Sequence, residues 1–144
     1  MQVKDVMSRA VKTVNSTDSI QKAASIMHHI DCGAVPVIDG STIVGMLTDR
    51  DIVVNAVASG KDPHTPVKDC MTHHIVTVEP HQEAQDAANL MADNQVRRLP
   101  VVEHDKLVGI VSIGDLARQN IYVTESGQAL SDISKPSQHA NAVH

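Results

Sequence analysis

Two short stretches carry the residue types best suited to chemistry. "GMLTDRD" (Gly45–Asp51) places a hydroxyl, Thr48, three residues before a carboxylate, Asp51; "GIVSIGD" (Gly109–Asp115) repeats the arrangement with Ser112 and Asp115. Two chemistries suit that spacing. At a helix start the hydroxyl and the carboxylate cap backbone N–H groups reciprocally, a contribution of about 1 kcal/mol. Alternatively the hydroxyl donates to a phosphate oxygen, helped by the free N–H groups and positive end of the helix. An ionised aspartate one turn on, acceptor-only and with two oxygens, then takes the two vicinal hydroxyls of a ribose. Capping and ligation are compatible, so the spacing leaves both open. Gly45 and Gly109 let a backbone pass where a side chain would not fit.

The elements that must hold these residues are themselves duplicated. Offset by 64, residues 3–54 align without a gap on 67–118, with 15 of the 52 positions identical. "VKDVM" meets "VKDCM", Ala23, Ala24 and Met27 meet Ala87, Ala88 and Met91, and Pro36-Val37 meets Pro100-Val101. A repeat decides the architecture before any local reading does. Each half begins with a short extended piece around Thr13-Val14 or Thr77-Val78. A helix follows, with Ser16, Thr17 or Asp18 as candidate caps in the first half and Pro80 as a first-turn proline in the second. Ile20, Ala23, Ala24 and Met27, like Ala84, Ala87, Ala88 and Met91, fall on one helical stripe. Two apolar runs then join through Asp39-Gly40-Ser41 or His104-Asp105, a hairpin signature, and a second helix closes each half. The pattern predicts an α/β (α+β) fold of two pseudo-symmetric β-α-β-β-α repeats, 1–62 and 63–123. Residues 124–144 are polar and aperiodic, and are expected to form a mobile tail.

Composition narrows the function. The formal charge of −5 argues against a nucleic-acid partner, and the lack of Phe and Trp, with one Tyr, removes aromatic base-stacking platforms. No run of 18 apolar residues predicts a membrane span and the first ten residues lack the apolar core of a signal peptide, so a cytoplasmic location is expected. Cys32 and Cys70 read as reduced thiols. His28-His29 and His73-His74 are adjacent and do not share a helix face, and no zinc-ligand spacing occurs, so no metal is expected. Met7 and Met71 repeat in register and read as packing. No serine or cysteine has an identifiable base, and there is neither a P-loop nor a GxGxxG; no catalytic residue is predicted.

The duplicated "h-P-V … G-h-h-[ST]-x-x-D" pattern over residues 1–122 resembles the tandem cystathionine-β-synthase (CBS) domain pair, or Bateman module. "GMLTDRDIV", "QVRRLPVV" and "LVGIVSIGDLA" are most similar to small bacterial and archaeal CBS-pair proteins, the hypoxic-response type among them. The resemblance implies a non-enzymatic regulatory sensor with no obligatory cofactor, cytoplasmic, that signals energy state or stress. It implies a disc-like homodimer, an adenosyl ligand (AMP, ADP, ATP, NAD or S-adenosylmethionine) and a separate effector protein. Carried over by position, one cleft comprises Met46, Thr48, Arg50, Asp51, Ile75, Val76, Val96 and Arg97. The other comprises Val11, Lys12, Cys32, Gly33, Ala34, Arg98, Ile110, Ser112 and Asp115. Arg97 and Arg98 precede the repeated proline, where the family often contacts phosphate, whereas the first half has Gly33 and Ala34 there; the clefts are therefore expected to differ. The alternatives are a structural or stress-response dimer with no ligand, and a metal- or redox-responsive module.

Overall fold

The structure, a computed structural model, describes residues 1–119 and 123–134. Among these are five strands, six α-helices, a five-residue π-helical turn and a short 3-10 turn. They form two compact units that do not coincide with the sequence repeats. One comprises Ala10–Ile75 with Val102–Leu107; the other comprises Met1–Arg9, Val76–Val101 and the chain from Val108 onward. Each repeat thus gives its opening residues to the unit built mainly from the other.

In the unit built on residues 10–75, β1 (Val14–Asn15) lies parallel to β2 (Ala34–Asp39), and β2 pairs antiparallel with β3 (Thr42–Thr48). Lys106, near the tip of the second hairpin, pairs with Thr42. Helix α2 (Ile20–Ile30) packs on β2, and α3 (Asp49–Ile52) runs into the π turn Val53–Val57. The core holds Val14, Ile20, Ala23, Met27, Val35, Val37, Leu47 and Ala56, closed by Val67 and Cys70 from the opening of the second repeat. That segment enters as the 3-10 turn Val67–Asp69, with Val67 and Lys68 donating to the carbonyls of Asp18 (2.7 Å) and Ser16 (2.9 Å).

The other unit repeats this construction with the roles exchanged. Helix α1 (Val3–Val6) donates from Val3 to the Gln82 carbonyl (2.8 Å) and from Lys4 to that of Pro80 (2.9 Å). Val3 is buried with Val78, Ala84, Ala87, Ala88, Met91, Leu99, Val101, Val111 and Leu116. Helix α4 (Ala84–Asn94), strand β4 (Arg98–Glu103) as far as Val101, strand β5 (Lys106–Ser112) from Val108 and helix α5 (Ile113–Ala117) complete the copy. Both long helices end on a non-glycine residue in the left-handed region, Asp31 (φ 51°) and Gln95 (φ 54°), at matching repeat positions.

Four details depart from the sequence expectations. The cap of α2 is Ser19, whose hydroxyl accepts from the Lys22 N–H at 3.1 Å. Ser16 and Asp18 are already engaged, Ser16 donating to the Asp39 carboxylate and Asp18 accepting from the Asn15 N–H. The leading strand of the second repeat shrinks to one bridge, Val78 to Val101. In the first repeat Ser16 extends that strand by donating to the Ile38 carbonyl; its counterpart Pro80 has no N–H to donate. Pro80 therefore lies in a turn ahead of α4, not in its first turn.

The fourth departure is at the C-terminus. Val123–Ser134, of which all but Val123 fall within the tail expected to be mobile, form helix α6 on α4 and α5. Ala129 (1 % exposed) and Ile133 (8 %) are buried there. Those two apolar residues at i, i+4 supply a helical stripe that the surrounding polar residues obscure. The rest of the expected tail, 135–144, lies outside the described residues. Helix α6 also explains why the matched stripes differ: Ala88 is buried beside it, whereas its counterpart Ala24 on α2 is exposed.

Candidate functional site

Both hydroxyl–carboxylate pairs are assembled, each within its own unit, at the junction of a hairpin strand and a short helix. Thr48 caps α3: its Oγ1 accepts from the Asp51 N–H at 3.0 Å, and the Asp51 Oδ2 accepts from the Thr48 N–H at 3.0 Å. Ser112 and Asp115 do the same on α5, at 3.1 and 2.8 Å. Both reciprocal capping boxes are complete. A hydroxyl that accepts one such bond keeps its proton to donate, and a carboxylate engaged at one oxygen keeps the other.

Glycines beneath each pair admit a backbone segment from the neighbouring repeat. Met46 and Thr72 exchange two backbone hydrogen bonds (3.0 and 2.9 Å), as do Ser8 and Ile110 (2.8 and 2.9 Å). A Cβ on Gly45 would stand 2.7 Å from the Thr72 carbonyl oxygen, and one on Gly109 2.7 Å from the Met7 sulfur. Met7 and Met71 are therefore packing residues placed by the repeat.

The surroundings of the two pairs differ. Asp49 opens α3 by donating its N–H to the Gly33 carbonyl (2.9 Å), and its carboxylate accepts from the Arg50 N–H (2.8 Å) and lies against Gly33. With Asp51 capped by Thr48, the first three N–H groups of α3 are all used within the chain, so the free N–H groups expected at this helix start are not available. In the second unit Ile113 donates to the Arg97 carbonyl (2.9 Å) in the same manner, but an isoleucine has no acceptor to offer the next N–H. The remaining oxygen of Asp115, Oδ1, is held by the Arg118 guanidinium. Position 54, the register equivalent of Arg118, is a valine.

Of the residues assigned to the first cleft, Met46, Thr48, Arg50, Asp51 and Ile75 belong to one unit, and Val76, Val96 and Arg97 to the other. Of the second, Val11, Lys12, Cys32, Gly33 and Ala34 share the unit of Thr48, while Arg98, Ile110, Ser112 and Asp115 share the other. Arg97 and Arg98 have exposed side chains. Arg97 is held by its backbone at the Ser112–Ile113 junction, as Gly33 is at Thr48–Asp49. Cys32 bonds the Ala34 carbonyl through Sγ (3.4 Å) and borders a shallow cavity of about 250 Å³ with Met27, His28, Asp31, Gly33 and Asp49. Burial pushes the buried thiol of Cys70 above the ordinary value; Lys61 works against this, and Asp69 and Asp51 add to it. Among the described residues, no three His, Cys, Asp or Glu side chains are grouped to hold a metal ion, and no helix is long and apolar enough to cross a membrane. Asp49 and Arg118 were absent from the sequence-derived set. Arg118 was readable from its i+3 spacing to Asp115; the contact of Asp49 with Gly33 joins residues distant in sequence and left no local signal.

Two α/β units, each presenting a capped hydroxyl–carboxylate pair and each taking its opening segment from the repeat that mainly builds the other, define a tandem-repeat fold. The CBS domain family profile matches residues 3–57 and 67–121, and the chain belongs to the CBS domain family as a tandem pair. CBS domain-containing protein YhcV of Bacillus subtilis is 44 % identical over 137 residues, covering 95 % of this chain and 98 % of that protein. Hypoxic response protein 1 of Mycobacterium tuberculosis is 38 % identical over 117 residues, 80 % of this chain and 82 % of that one. A crystal structure of Hypoxic Response Protein I, holding two coordinated zinc ions, superposes with a TM-score of 0.77 at 37 % identity, over 83 % of this chain and 98 % of the other. That of CBSX2 in complex with AMP gives 0.75 at 28 % identity, over 85 % and 98 %.

Proposed function

We propose that this chain is a non-enzymatic regulatory CBS pair that binds an adenosyl ligand at its Thr48/Asp51 and Ser112/Asp115 half-sites and signals as a homodimer to a separate protein. The observation that carries this reading is the duplicated pair itself: after capping, each hydroxyl keeps a proton for a phosphate, and Asp51 keeps a carboxylate oxygen for a ribose diol. Thr48, Ser112, Asp51 and Asp115 are the anchoring residues. Arg97 and Arg98, exposed beside the repeated proline, are suited to phosphate because a guanidinium fork matches two oxygens. Aliphatic side chains such as Met46, Ile75, Val76, Val96 and Ile110 supply the walls for adenine. That a family member of matching fold is known with AMP supports the ligand class. The exposed Val53 (57 %) and Val57 (65 %), four residues apart on the turn after α3, form an apolar strip suited to a second copy. A ligand changes that assembly only as far as its affinity differs between two states.

The test is calorimetry with AMP, ADP, ATP, NAD and S-adenosylmethionine. Binding of at least one, weakened by Asp51→Ala or Asp115→Ala, is expected; failure of all five at millimolar concentration overturns the reading. The complete capping boxes favour one rival, a structural dimer in which both pairs serve helix starts alone. It predicts loss of stability in those variants with no ligand to lose.

A further inference from the structure

Resting on the adenosyl reading above, we propose that Arg118 sets the difference between the two half-sites by competing with the ligand's diol for Asp115, leaving Asp51 as the stronger anchor. The two carboxylates are held alike: each accepts the N–H of the hydroxyl residue three positions earlier through Oδ2. They differ at the other oxygen. The Oδ1 of Asp115 accepts from Arg118 Nη2, one helical turn along the same face, while at the matching position the first repeat carries Val54, which has no charge to offer.

A vicinal diol donates two hydrogen bonds and needs an oxygen free to receive them. Among the described residues, the Oδ1 of Asp51 has no partner, whereas both oxygens of Asp115 are engaged. The Asp115 side chain is only 13 % exposed, whereas that of Arg118 is 72 % exposed. The carboxylate is thus the fixed partner and the guanidinium the one that moves, and an exposed ion pair is weak enough to be displaced. Arg118 therefore lowers affinity without closing the site. Its effect is confined to ligands anchored through a ribose diol, and a nucleoside lacking phosphate senses it as strongly as a nucleotide does.

Adenosine and AMP, titrated calorimetrically into the full chain, test this. In an Asp51→Ala background, where only the second half-site keeps its carboxylate, Arg118→Val is expected to raise the affinity for both probes about two- to fivefold, the range an exposed ion pair allows. Arg118→Lys, which keeps the charge but loses the planar fork, is expected to fall between. The reciprocal exchange guards against a folding defect in that background: Val54 is exposed (46 %), so an arginine fits there. Val54→Arg in an Asp115→Ala chain is expected to lower affinity by a similar factor. Unchanged affinity in both exchanges overturns the proposal, as does a selective loss of AMP binding in Arg118→Val, which makes Arg118 a phosphate ligand. If neither probe binds the wild-type chain or any variant, the adenosyl reading falls, and this one with it.

Discussion

Asp51 and Asp115 are structural and, in the proposed function, ligand-anchoring residues at once, so their removal has two separable consequences. Asp51→Ala or Asp115→Ala takes away one arm of a complete capping box and is expected to cost about 0.5–2 kcal/mol in a denaturant melt. The same change is expected to weaken the ligand at its own half-site by about 1–3 kcal/mol, read by calorimetry. Gly109 makes a cleaner structural test. A Cβ there meets the Met7 sulfur at 2.7 Å and the Ser8 carbonyl at 2.9 Å, so Gly109→Ala is expected to destabilise by about 1–3 kcal/mol through crowding. At Cys70, 1 % exposed, burial raises the thiol pKa, and the folded state favours the protonated form. Its contribution to stability is whole below the unfolded thiol's pKa and is lost as pH rises from there through the folded value. A thiol reagent at pH 8 is expected to label the half-buried Cys32 in the native chain and Cys70 only after unfolding.

Among the elements, the hairpin turns show how far a repeat tolerates change. Gly40 takes the positive φ of the first turn (64°), while His104 (52°) and Asp105 (65°) both take it in the second. Glycine pays no Cβ penalty in that region. Asp105→Gly is therefore expected to stabilise the fold by about 0.5–1 kcal/mol, checked by thermal melting. Helix α6 has no counterpart in the repeat, and Ile133 joins the core of its unit through it. Ile133→Ala is expected to destabilise by about 2–5 kcal/mol, as for other buried aliphatic truncations. The β-α-β-β-α order, the hairpins and both buried stripes were legible because periodicity and turn chemistry are local properties. The cap at Ser19 was not, since it depends on which partner each side chain finds in space, and neither was the loss of strand at Pro80, since only the pairing of Ser16 with Ile38 shows which N–H that strand requires.

At the scale of the whole molecule, duplication explains both the economy of the fold and its asymmetry. Val3 completes one unit's core, and Val67 and Cys70 complete the other's, so neither repeat contains a finished core in its own sequence. The chain has no Trp and one Tyr. A nucleotide retained on purification is therefore expected to dominate the near-ultraviolet spectrum, with absorbance at 260 nm far exceeding that of the denatured, desalted chain. The homodimer proposed through Val53 and Val57 is checked by sedimentation. Val53→Asp with Val57→Asp, both at exposed positions, is expected to yield a monomer without loss of folded structure.

By itself the sequence determined the family, the repeat, the order of elements and the two hydroxyl–carboxylate pairs. All of these rest on residue type and spacing, which the backbone converts directly into turns, stripes and caps. Only the tertiary structure decided that the repeats exchange their opening segments, that α6 covers one helix stripe and leaves Ala24 bare, and that Asp49 lies against Gly33. Those outcomes depend on which surfaces meet, and identical local sequences take different roles once their neighbours differ.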